Sequence, residues 1–134
     1  MIYKKQPQEI KVVADIGHTG VDEQAAVVFG YKEGEMALLS CAIMTETPRN
    51  MYIIGDKGYI HIPNVWYAEK AVLKVHGEED VVINIPMEGN GYNHEVAEVV
   101  KCLQQGKLES DIMPLKESLE IMGTMDTIRK DIGL

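Results

Sequence analysis

The spacing of apolar residues along the chain changes once, at Pro86. Before it they recur at every second position, and after it at every third or fourth. Side chains of a strand alternate between two faces, whereas those of a helix return to one face every 3.6 residues, so a long β region precedes a shorter α region. The alternating stretches lie at 9–16, 24–31, 36–44, 49–54, 59–62, 70–76 and 81–85. Short polar or glycine-bearing connectors separate several of them: Gly17-His18-Thr19-Gly20, Lys32-Glu33-Gly34-Glu35, Gly55-Asp56-Lys57-Gly58 and Gly77-Glu78-Glu79-Asp80. The glycines of the third are expected at positive φ. Connections this short join antiparallel neighbours. The expected fold class is therefore α+β, a predominantly antiparallel open sheet of about seven strands with two C-terminal helices on one face.

The first helix is expected over 92–105, with Val96, Val99, Val100 and Leu103 on one side, Asn90 or Asn93 as its cap and Gly106 as a left-handed stop. The second starts near Pro114 and carries Leu115, Leu119, Met122, Met125, Ile128 and Ile132 before Gly133. Several strands are apolar on both parities: Ala25, Val27 and Phe29 alternate with Ala26 and Val28, and Ala37, Leu39 and Cys41 with Leu38 and Ala42. Two helices cover one face. The other is left to something outside the chain, most simply a second copy, so a homo-oligomer is expected.

The length of 134 residues fits a single domain, 1–134. With 13 basic and 21 acidic residues the net charge is −8, and no basic face is evident, which argues against nucleic acid and anionic membrane as partners. No stretch reaches the roughly 20 apolar residues of a membrane span, and the opening residues do not read as a signal peptide, so a cytoplasmic location is expected. Cys41 and Cys102 lie in apolar segments without paired spacing and are expected to be free, buried thiols.

Motifs with chemical content are sparse. Only Gly89-Asn90-Gly91 precedes a helix, and it lacks the third glycine of a dinucleotide loop, so no cofactor site is assigned. His94 and Glu98 share a helix face but have no third ligand at metal-binding spacing, and no metal is assigned. Glu69-Lys70-Ala71 and Asp15-Ile16-Gly17-His18 read as parts of strands. The acidic Glu109-Ser110-Asp111 precedes the second helix, where negative charge is favourable. Trp66-Tyr67 either packs at a core edge or lines a pocket. No catalytic residue is assigned.

Ordered strings carry a family resemblance. Gly20-Val21-Asp22-Glu23, Gly55-Asp56-Lys57-Gly58-Tyr59-Ile60-His61-Ile62-Pro63-Asn64-Val65-Trp66, Gly91-Tyr92 with Glu95, Gly106-Lys107-Leu108-Glu109-Ser110, Met113-Pro114-Leu115 with Glu117-Ser118-Leu119, and Met125-Asp126 with Ile128-Arg129 follow one another over 9–134. Together they resemble the C-terminal domain of the Gfo/Idh/MocA oxidoreductases, nearest to the dihydrodiol-dehydrogenase-like members. The resemblance implies that NAD or NADP and a catalytic lysine belong to an N-terminal Rossmann domain not present here. It also implies a C-terminal domain that lines the substrate side of a cleft and uses its bare sheet face in oligomer contacts. Under it Trp66, Asn90 and Tyr92 are the expected substrate-binding residues, and the substrate is a sugar, cyclitol or diol. Alone, the chain is expected to be inert. The rival expectation is a stand-alone ligand-binding or dimerisation module without catalysis.

Overall fold

The computed structural model describes residues 2–134 and contains seven strands and two α-helices. The strands are β1 (Glu9–Ile16), β2 (Asp22–Gly30), β3 (Met36–Ala42), β4 (Met51–Ile54), β5 (Gly58–Ile62), β6 (Lys70–Val75) and β7 (Val81–Asn84); the helices are α1 (Tyr92–Gln104) and α2 (Leu115–Asp131). Every strand pair is antiparallel, and the sheets are open. The strands divide between a three-stranded sheet, β1-β2-β3, and a four-stranded sheet, β4-β5-β6-β7. Two compact units follow this division, one of residues 2–47 with 109–134, the other of residues 48–108.

In the first unit the register sets Val12 opposite Val27 and Ala14 opposite Ala25, with Val27 opposite Leu39 and Ala25 opposite Cys41. Ala25, at 5% exposure, is the buried centre of this sheet. Helix α2 packs against β1, where Ile10, Val12 and Ala14 are half-buried while Lys11, Val13 and Asp15 are exposed. That alternation shows which face the helix covers. The start of α2 is held by the Glu109 carboxylate, which accepts the Leu115 N–H at 2.7 Å, the favourable sense for negative charge at a helix N-terminus.

The N-terminal segment ties this unit together. Tyr3 donates its hydroxyl to the Met36 carbonyl and its ring lies 4.6 Å from that of Tyr31. Lys5 pairs with Glu35 at 2.6 Å and Glu33 at 3.2 Å. Gln6 donates to Glu120 of α2 and accepts from Thr124.

In the second unit β4 and β5 are joined by a tight turn closed by the Gly55 N–H donating to the Gly58 carbonyl at 2.9 Å. Gly55 does not take the expected positive φ. What requires glycine at 58 is space, because β6 passes so close that a Cβ there would run into the Lys74 carbonyl. Val72 of β6 and Cys102 of α1, each 9% exposed, are the buried residues of this unit. The α1 stop falls at Gly106, φ +67°, with the Lys107 N–H donating to the Cys102 carbonyl. Its N-cap is Gly91, in place of the asparagine expected there.

Gly58→Ala should destabilise the chain by about 1–3 kcal/mol, the range for forcing atoms into packed space. Gly123 is its counterpart inside α2, with nothing within 4 Å of an added Cβ, and Gly123→Ala should stabilise by about 1 kcal/mol from helix propensity alone. Urea unfolding of both variants against the parent chain reads the two signs.

The Lys5 ammonium holds the Glu35 carboxyl below the usual carboxylate range, and the Glu35 bond raises Lys5. A lowered acid stabilises above its unfolded pKa and is lost as pH falls through the folded one; a raised base stabilises below its unfolded pKa and is lost on the alkaline side. The Tm difference between the parent chain and Lys5→Met should therefore be largest near neutrality and shrink as pH falls below the ordinary carboxylate value of about 4.3.

Candidate functional site

The residues after β5 run into a single 3-10 turn at Val65–Tyr67. It forms because Pro63 ends the strand and the Asn64 carbonyl then accepts the Tyr67 N–H at 3.2 Å, while the Val65 N–H donates to the Arg49 carbonyl at 2.9 Å. The turn projects Trp66 into solvent at 75% exposure, with Tyr67 exposed beside it in sequence. Of the two readings of this pair, core-edge packing is excluded for Trp66.

Asn90 and Tyr92 lie where the chain enters α1. The Asn90 side-chain oxygen accepts the Tyr92 N–H at 3.3 Å, so these two candidates are joined directly, and both side chains are exposed. Among the described residues no hydrogen bond or ring contact joins Trp66 to either. The three offer an aromatic face, a phenol and an amide, groups suited to stacking on and hydrogen-bonding a neutral polyhydroxylated ring.

A cluster missed by sequence reasoning lies across β4 and β5. Tyr52 stands opposite His61, their rings stacked 4.5 Å apart at 5°, and Tyr59 lies 5.9 Å from Tyr52. His61 Nε2 is 2.8 Å from the Asn50 side-chain oxygen, a contact that needs the Nε2-protonated ring. The Gly55–Gly58 turn was the available signal, since its length fixes which residues face one another. With its ring stacked and its nitrogen engaged, His61 has a structural role.

The strings that imitate catalytic motifs are parts of strands and turns. Lys70 opens β6, and Glu69 is engaged by the Met87 N–H at 2.8 Å. Asp15 is on β1, and His18 lies in the turn that the Gly17 N–H to Val21 carbonyl bond closes. Glu98 accepts from the Cys102 thiol at 3.6 Å and pairs with Lys101.

A dinucleotide does not fit the residues present. Gly89 and Gly91 precede α1, but His94 stands where the Gly-x-Gly-x-x-Gly loop has its third glycine, the one that lets the helix pack closely on the strand. The open side of the three-stranded sheet, bearing Lys11, Val13, Ala26, Val28, Leu38 and Ser40, is apolar at its middle, with Val13 and Leu38 each 78% exposed.

Comparison with known proteins gives the lineage. The chain is 32% identical over 143 aligned positions to trans-1,2-dihydrobenzene-1,2-diol dehydrogenase of Mus musculus, covering all of this chain and 42% of that protein. It is 30% identical to the enzyme of that name from Xenopus laevis and 28% to that from Homo sapiens, covering 97% of this chain and 41% of each relative. The chain is homologous to part of the dihydrodiol dehydrogenases. It spans about two fifths of the length of these curated relatives. No family model matches the chain. Its fold matches part of a solved structure, UDP-N-acetylglucosamine 3-dehydrogenase GnnA from Acidithiobacillus ferrooxidans, with a TM-score of 0.79 at 12% identity, over 95% of this chain and 41% of that one. Kinship with the dihydrodiol dehydrogenases and the fold of a sugar-nucleotide dehydrogenase together bear out the resemblance read from the ordered strings.

The cysteines differ from expectation. Both are free, but Cys41 is exposed because β3 is an outer strand with a neighbour on one side only, whereas Cys102 is buried. Burial pushes the Cys102 thiol up, and the Glu98 contact adds to it. Iodoacetamide should therefore modify Cys41 at least about tenfold faster than Cys102, as resolved by peptide mass mapping.

Proposed function

We propose that the chain is the substrate-binding and oligomer-forming C-terminal domain of an NAD(P)-dependent oxidoreductase acting on a diol, sugar or cyclitol. The observation that carries this reading is the coverage: relatives named as dehydrogenases match all or nearly all of this chain, yet it accounts for only about two fifths of them. The remaining length of such an enzyme would have to contain what this chain lacks. Hydride transfer needs a nicotinamide held against the substrate carbon and a proton donor in reach, and neither the glycine-rich loop nor a suitably placed lysine occurs here.

The residues present have a consistent part in that division. Trp66 supplies an exposed ring on which an apolar or sugar face stacks, and Asn90 and Tyr92 supply polar groups at the start of α1. The exposed middle of the three-stranded sheet is the surface for a second copy, and 1–134 then acts as one domain of the larger protein. A cytoplasmic location is part of the same proposal; among the described residues no helix is long and apolar enough to cross a membrane.

Calorimetric titration of this chain with NAD and with NADP should give no binding heat, and sedimentation should show a dimer or larger species as concentration rises. Tight binding of either nucleotide overturns the division of labour. A chain that stays monomeric at high concentration overturns the assignment of the open sheet face.

A further inference from the structure

The sequence holds five asparagines, at 50, 64, 84, 90 and 93, and glycine follows only Asn90. An asparagine side-chain amide can be attacked by the backbone nitrogen of the next residue, and glycine is the residue that best permits it, having no Cβ to shield the nitrogen or restrict the folded-back geometry.

The structure separates Asn90 from the other four. The Val65 N–H after Asn64 donates to the Arg49 carbonyl at 2.9 Å, the Ile85 N–H after Asn84 to the Glu69 carbonyl at 2.8 Å, and the His94 N–H after Asn93 to the Gly91 carbonyl at 3.1 Å. Asn50 precedes Met51, whose backbone is fixed in β4 opposite Ile62. Asn90 is exposed, lies between Gly89 at φ +66° and Gly91 at φ +88°, and is followed by an N–H with no hydrogen bond among the described residues. Its side-chain oxygen accepts the Tyr92 N–H, a bond that folds the side-chain carbonyl back toward the intervening Gly91 nitrogen. The same N–H is placed to stabilise the negative charge that develops on that oxygen during attack.

We propose that Asn90-Gly91 is a site of spontaneous covalent modification. The Gly91 nitrogen, giving its proton to a solvent base, bonds to Asn90 Cγ; the Cγ–Nδ2 bond breaks and Nδ2 leaves with a proton as ammonia. One water then opens the resulting succinimide at either carbonyl, leaving aspartate or isoaspartate, and no oxidation or reduction occurs. The aspartate product adds a negative charge ahead of α1, the favourable sense for that helix end. The isoaspartate product lengthens the backbone there by one methylene. The chemistry needs only this chain and does not rest on the proposed function, although Asn90 is also a proposed ligand contact.

Prolonged incubation of the chain at neutral pH and physiological temperature, followed by fragment-resolved peptide mass mapping and methylation by an isoaspartyl methyltransferase, tests the proposal. Amide-to-acid conversion should appear at Asn90 ahead of the other four asparagines, and Asn90→Gln should lose the methyl acceptance while leaving the backbone glycines in place. Conversion at Asn90 no faster than at Asn84, or methyl acceptance undiminished in Asn90→Gln, overturns it.

Discussion

A sheet whose strands are apolar on both parities has two faces to remove from water, and helix α2 packs on one of them, against β1. Much of the first unit follows from that imbalance. On the covered side Ala25 is buried and β1 presents its half-buried residues; on the other side Val13 and Leu38 stand in solvent. Burying a single Val or Leu side chain contributes about 1.5–3 kcal/mol, so covering even a few such residues is comparable with the roughly 5–15 kcal/mol that stabilises a whole domain. The N-terminal segment acts within this limit. Tyr3, Lys5 and Gln6 fasten the β2–β3 hairpin and α2 by hydrogen bonds and ion pairs, contacts that fix geometry without covering the open face.

The second unit is organised by the close passage of β5 against β6 at Gly58. That approach, with the two-residue turn between β4 and β5, sets Tyr52 against His61 and leaves Val72 buried at the sheet's middle. Aromatic side chains divide into two populations as a result. Tyr52 and Tyr59 lie against ring partners on the sheet, where such pairs add about 0.5–1.5 kcal/mol beyond burial. Trp66 and Tyr92, on a turn and a helix start, are left facing solvent. Loops and element ends are where a rigid scaffold presents its binding groups, which is why the second population is the one of interest for ligands.

The elements were legible because their signals are local. Parity marked all seven strands, and β1 and the first residues of β3, β6 and β7 match the expected bounds. The period change placed both helices, and Gly106 ended α1 as its position suggested. Quantities set by distant partners were less accessible. The division into two sheets falls at the connection between β3 and β4, which at 43–50 is the longest between strands and has no glycine, but length alone does not say whether the next strand pairs with the last. Cys41 looked buried because its neighbours in sequence are apolar, but exposure is decided by β3 having one neighbour. The Lys5 and Gln6 contacts span 28 to 118 residues of sequence and carry no motif at either end. Of the candidate site, the union of Asn90 with Tyr92 follows from their spacing of two, the separation at which a turn-forming side chain reaches a backbone N–H. Trp66 had only its place after a proline turn.

What the helix start lacks bears on function as much as what it holds. A pyrophosphate at a helix N-terminus needs backbone that ligand oxygens can approach, which the dinucleotide fold secures with glycines on both sides of the helix boundary. Here the glycines stop at Gly91, and the next positions carry a phenol, an amide and an imidazole. A phenol, an amide and an imidazole are the kind of groups that can contact hydroxyls of a neutral ligand. The incomplete glycine loop at α1 therefore fits the proposed division, in which this segment contacts substrate and the nucleotide is bound by other parts of a longer enzyme.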